Sequence, residues 1–157
     1  MNKLLSYAAG VLISAIVPAL LFSLSMSILS LSQENITSIL KQLPSMFLIV
    51  FFVALAHAVL LGFPIYLIVN KYFRFTYLRA VACGFFVGAL PLAVYTWPIE
   101  YNHMSSSSTI NGVQTLINGV PTLSGWLLYL RGILLFSAFG IVGAASFKYA
   151  LTKMKKL

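Results

Sequence analysis

His57 stands about halfway between Ser45 and Asn70 in a long apolar run, and it is the only ionisable side chain placed near the middle of such a run. At that depth an imidazole can relay protons, or it can bond a carbonyl freed near a proline kink. A relay calls for an acidic partner, and no carboxylate lies in any of the apolar runs. A neutral histidine bonded to a serine or backbone group of a neighbouring helix accounts for the position without any reaction. Arg131 lies five residues beyond Trp126, about 7.5 Å along a helix. From there its guanidinium can reach outward to a headgroup phosphate or a loop carbonyl, or form an anion or partner site.

The remaining reactive groups do not assemble into a site. Glu100 and His103 have the spacing of one helical turn, but two groups do not close a metal site and no third ligand type is near them in sequence. Cys83 is the only cysteine and lies inside an apolar run, so neither an internal disulfide nor a Cys-x-x-Cys redox pair can form. Asn35-Ile-Thr matches a glycosylation acceptor, a short pattern that is frequent by chance. There is no Gly-rich phosphate loop, nucleophile elbow or His-Glu metalloprotease pattern. The expectation is therefore no cofactor, no metal and no enzymatic activity.

The elements that must hold His57 and Arg131 follow from composition. Of 157 residues, 61% are hydrophobic and only 8% charged, outside the range of soluble domains and suited to a bilayer. Four segments are long and apolar enough to span: about residues 4–31, 45–70, 80–97 and 126–150. The first is too long for the apolar stretch of a signal peptide, about 7–15 residues, and reads as a retained helix. The net charge of +8 does not imply nucleic acid, because the basic residues sit at the ends of the apolar runs and form no stripe.

Those charges give an orientation. Lys3, Lys71, Arg74, Arg79, Lys148, Lys153, Lys155 and Lys156 fall on one side, and Lys41 falls in a loop on the other with Glu34 and Glu100. The positive-inside rule then places both termini and loop 71–79 in the cytoplasm, and loops 32–44 and 98–125 outside. Trp97 and Trp126 bracket the longer outer loop at headgroup depth.

Small residues recur every three or four positions in each span: Ala15, Ala19, Ser23 and Ser27; Ala54, Ala58 and Gly62; Ala80, Gly84 and Gly88; Ser137, Gly140 and Ala144. Such stripes let helix backbones approach closely where lipid gives no hydrophobic drive. They predict a compact bundle of sequential antiparallel neighbours, with one stripe left for a partner. Pro18, Pro64 and Pro91 predict kinks, each removing an amide and crowding the carbonyl four residues earlier.

The outer loop contains a tandem repeat, INGVQTL at Ile110–Leu116 and INGVPTL at Ile117–Leu123. Asn-Gly flanked by β-branched residues signals a hairpin, so the loop is expected to form a three-stranded meander. The five residues Val113–Ile117 between the turns cannot serve two ideal two-residue turns without a bulge. The expectation is a two-residue turn at Asn111-Gly112 and a three-residue turn at Ile117-Asn118-Gly119. That register pairs Leu116 with Val120, leaves Pro121 at a non-hydrogen-bonded edge position, and puts Ile110, Val113 and Leu123 on one face.

The sequence thus reads as an all-α integral membrane protein, a four-helix bundle with both termini inside and a small β-meander outside. A bacterial cytoplasmic (inner) membrane suits it. Three function classes fit in descending order: a non-enzymatic interaction protein, either an accessory subunit of a membrane complex or an immunity-type protein; an oligomeric small transporter or channel; and a membrane enzyme working with His57, Arg131 and hydroxyls alone. The expected partners are the lipid bilayer and a membrane protein or a second copy of the chain, with no nucleic acid.

Overall fold

The computed structural model describes residues 3–31, 34–98 and 107–154. Its helices are α1 (Lys3–Ser30), α2 (Ile36–His57), α3 (Phe63–Tyr72), α4 (Tyr77–Tyr95) and α5 (Leu123–Met154), with a single π-helical stretch, Ala58–Gly62, joining α2 to α3. Strands β1 (Ser108–Ile110), β2 (Val113–Ile117) and β3 (Val120–Pro121) lie between α4 and α5. Because α2, the π-helical stretch and α3 run on without a break, the described residues form four helices long and apolar enough to cross a membrane. Many large apolar side chains, among them Leu4, Phe52, Leu60, Ile68, Phe86 and Leu134, point away from the protein. That surface suits hydrocarbon and not water.

The second span begins earlier than its composition suggests. Ile36–Tyr72 is 37 residues, about 55 Å of helix against a hydrocarbon core of about 30 Å. The segment expected as loop 32–44 is therefore mostly helix, with Pro44 inside it. Its extra turns are held by polar groups that helical spacing brings into line. Gln42 donates to Glu34 at 3.1 Å and to Ser38 at 3.1 Å, and Ser38 donates to Glu34 at 3.3 Å. A polar stretch with a proline reads as a loop in sequence; Ser38 and Gln42 share one helix face, and Glu34, just ahead of the N-cap Asn35, bonds both.

Pro18, Pro64 and Pro91 each remove one helical amide bond, but only Pro64 is accompanied by a change of helix type. The Phe63 amide bonds Ala58 O, five residues back, and this π-turn takes up the disturbance just ahead of the proline. Pro18 and Pro91 sit inside unbroken helices.

Helix packing departs from a ring of sequential neighbours. α5 lies against both α1 and α4, and α2 lies against α1, giving the order α2, α1, α5, α4. The last seam closes only where the π-helical stretch and α3 reach α4. Near that end Tyr66, Phe75, Ala80, Phe147 and Leu151 form the most buried cluster, with Tyr66 edge-on to Phe75 at 4.8 Å and to Phe147 at 5.0 Å. At the opposite end Trp97, Trp126 and Tyr129 meet pairwise, edge to face, within about 6 Å.

The meander forms, but its irregularity is displaced from the expected place. Ile110 pairs with Val113, and Ile117 with Val120. Both turns are therefore two-residue, with positive φ at Asn111, Gly112, Asn118 and Gly119, the pattern of type I′. The expected Leu116–Val120 pairing is replaced by Leu116–Pro121. The register jump lies instead in the first pair of strands, where Ser108 faces Leu116 and Thr109 faces Gln114, leaving Thr115 as the extra residue. Parity still demands one bulge. Two identical Ile-Asn-Gly-Val turns outweigh the regularity of a three-residue β1, so the bulge moves into the strand. Pro121 does occupy an edge strand, in the pair next to the turn-closing one, where no amide is required. Leu123 is the first residue of α5 and not part of the sheet.

Candidate functional site

The small-residue stripes divide into those used within the bundle and one that is not. A side chain at Gly84 would strike Gly140 O and come within 2.7 Å of Ala144 Cβ; one at Gly88 would strike Phe136 O; one at Gly140 would strike Gly84 O. These glycines let α4 and α5 touch backbone to backbone, as the stripe argument requires. Gly143 does the same against α1, where an added Cβ would lie 2.9 Å from Ser14 O, the carbonyl whose helical donor Pro18 removes. Ala15, Ala19 and Ala80 are fully buried. By contrast, an added Cβ at Gly62 meets only His57 O at 3.8 Å. The stripe Ala54, Ala58 and Gly62 is half-buried along a cleft, without the backbone-to-backbone contact that the glycines of α4 and α5 make.

The cleft, of about 480 Å³, lies between α2 and α4 and is floored by α1 and α5. Ala54, His57, Ala58, Gly62, Gly84, Gly88, Gly140 and Ala144 all line it; Ala80 and Arg131 do not. Tyr66, Phe75 and Phe147 close one end, and Ile49 and Tyr95 border the other. The lining contains no Asp, Glu, Lys or Arg. Within it His57 Nδ1 lies 2.8 Å from Val53 O, one turn back on its own helix. The proton then resides on Nδ1, and the partner is the helix's own backbone instead of a neighbouring helix.

Arg131 belongs to a second hollow, about 580 Å³, under the meander and lined also by Thr96, Leu116, Pro121 and Tyr129. Its side chain is exposed. Nearby, Tyr129 donates to Ala93 O at 2.8 Å, one of the terminal carbonyls that α4 leaves without a helical donor. Glu100 and His103 lie outside the described residues. Among the described residues no three His, Cys, Asp or Glu side chains converge.

A feature that sequence reasoning missed is the brace between meander and bundle. The Thr122 amide donates to Thr115 O at 3.0 Å and its hydroxyl to Gln114 O at 2.8 Å. The same hydroxyl accepts from the Gly125 amide at 3.2 Å, capping α5. The bulge at Thr115 therefore turns its carbonyl toward the start of the helix. The available signal was Thr122 three residues before Gly125, an N-cap spacing ahead of an apolar run. Outside this brace the two turn-closing pairs, Ile110 with Val113 and Ile117 with Val120, are 43–63% exposed. No protein-family model, curated protein or solved structure matches the chain.

Proposed function

We propose that this is a non-enzymatic membrane interaction protein, an accessory subunit of a membrane complex or an immunity-type protein, whose meander binds the extracytoplasmic part of a membrane partner. One observation carries the reading: a meander braced on α5 holds two apolar cross-strand pairs out from the protein. Exposed apolar groups on a preordered element lower the ordering cost of association. The reading takes the four helices as membrane spans, with both termini and the Lys71–Arg79 loop inside, in a bacterial inner membrane. The described basic residues of loop 71–79 and the end of α5 gather at one end of the bundle, where Lys71, Arg79, Lys148 and Lys153 lie over aromatic rings, as inner-leaflet anchors do.

Purification in mild detergent with identification of copurifying proteins tests this reading. The wild type is expected to retain a heterologous membrane partner. A variant carrying Ile110→Thr and Val120→Thr, which keeps β propensity but removes apolar area, is expected to lose it. Equal recovery with both chains would refute the meander as the contact. Orientation is checked by impermeant thiol labelling of single cysteines at Ser106, which is outside the described residues, and at Thr152, each in a Cys83→Ser background. Labelling at Thr152 in intact cells would overturn it. An oligomeric transporter or channel is the second reading, favoured by the cleft; a lining without carboxylates gives His57 no acidic proton partner and a cation no counter-charge.

A further inference from the structure

We infer that the hollow beneath the meander is a site for an anionic phospholipid of the leaflet on the meander's side, with the lipid phosphate on Arg131. The four helices are taken as membrane spans, as proposed above; what the meander binds does not enter. Arg131 is the one charged residue in the lining of the hollow, and its side chain is exposed. Among the described residues it has no hydrogen-bond, ion-pair or aromatic partner. Arg79, by contrast, bonds Arg74 O and lies over the Phe73 ring. Lys148 is seventeen residues beyond Arg131 on α5, about 25 Å along the helix, and lies over Phe75 and Tyr77 at the other end of the bundle. With a hydrocarbon core of about 30 Å, the two cations stand near its two boundaries, and neither can be drawn outward without burying the other. At that depth the abundant counter-ion is lipid phosphate, which a guanidinium grips through two parallel N–H···O bonds.

The walls of the hollow select the carrier of that phosphate. Toward the meander they hold the hydroxyls of Thr96, Thr115 and Tyr129, and about one helical turn deeper they are Leu92, Leu135 and Phe136. This passage from polar to apolar follows a phospholipid from headgroup to acyl chain; a free anion has no use for the apolar end. The three hydroxyls already donate, to Leu92 O, Ser108 O and Ala93 O, so they meet a headgroup as acceptors. The lining contains no carboxylate, and an ammonium beside Arg131 would meet only like charge. A headgroup with a net negative charge and hydroxyl donors, such as that of phosphatidylglycerol, therefore fits better than phosphatidylethanolamine.

Both tryptophans of the chain, Trp97 and Trp126, pack edge to face with Tyr129 of this hollow. Their quenching by phospholipids brominated in the upper acyl chain therefore reports this region and not the basic end. The full chain is reconstituted in phosphatidylcholine vesicles in which brominated phosphatidylglycerol or brominated phosphatidylethanolamine replaces part of the lipid. The wild type is expected to favour phosphatidylglycerol about fivefold, the contribution of one basic residue near an anionic lipid surface. Arg131→Gln should lose the preference, and Arg131→Lys, a point charge without the planar fork, should keep only part of it. Inorganic phosphate should quench no better than chloride of matched ionic strength in displacing the lipid. Equal quenching by the two lipids in the wild type, or a preference that survives Arg131→Gln, would overturn the site. Displacement by phosphate but not by chloride would assign it to a free anion, and a preference seen only in Glu100→Gln would give Arg131 that carboxylate as its partner; either result overturns the lipid site. Absence of quenching by both lipids would reject the spanning reading, and the site with it.

Discussion

The carbonyl oxygen of Thr115, the bulged residue of β2, is pressed against the α-carbon of Gly125 in the first turn of α5, leaving no room for a β-carbon there. This contact and the Thr122 hydrogen bonds fix the sheet to the helical bundle. A single glycine thus links a register irregularity to the rigidity of the surface proposed to bind a partner.

Gly125→Ala should therefore detach the meander without unfolding the helices. The added carbon meets backbone, which yields only by moving the strand, a strain of about 1–3 kcal/mol. Amide hydrogen exchange should accelerate in Val113–Val120 and stay unchanged in α4 and the rest of α5. Partner retention should fall in parallel. Unchanged exchange in the meander would show that Gly125 does not hold it.

Gly140 and Gly62 should respond in opposite ways to the same substitution. At Gly140 a methyl group runs into Gly84 O and lies 3.0 Å from the Gly88 α-carbon, so Gly140→Ala should cost about 1–3 kcal/mol of bundle stability. At Gly62 the nearest atom is 3.8 Å away. Gly62→Ala should be neutral or stabilising by up to about 1 kcal/mol through helix propensity. Unfolding of the two variants in mixed micelles compares them directly. A Gly62→Ala loss as large as that of Gly140→Ala would mean that the second stripe is packed after all.

The contrast between those two glycines also marks what could be read from sequence. Long apolar runs, stripes of small residues, the aromatic pair Trp97 and Trp126 and the repeated Ile-Asn-Gly-Val are local patterns; the runs led to four long apolar helices and the repeat to a meander. Local pattern does not say which stripe meets which. That depends on how α5 divides its two faces between α1 and α4, a property of packing between residues such as Ser14 and Gly143 that are distant in sequence. Parity arithmetic likewise demanded a bulge in the meander but did not locate it. The choice between Gly119 and Thr115 turned on comparing two turn energies with the regularity of a short strand. The cleft was not legible at all, because it is the seam that fails to close.

His57 gives the last prediction, because its environment separates a packing role from a proton relay. Its Nδ1 lies 2.8 Å from Val53 O, one residue before the π-turn that precedes Pro64. Removing this bond in His57→Ala should cost about 0.5–1.5 kcal/mol, the net worth of one intramolecular hydrogen bond. His57→Gln keeps an amide donor and should recover most of that loss. Neither variant should change how partner retention depends on pH across about pH 5 to 8. The walls of the cleft contain no carboxylate to exchange a proton with His57. A retention profile that titrates in the wild type and becomes flat in both variants would instead assign His57 a proton-dependent function and reject the packing role.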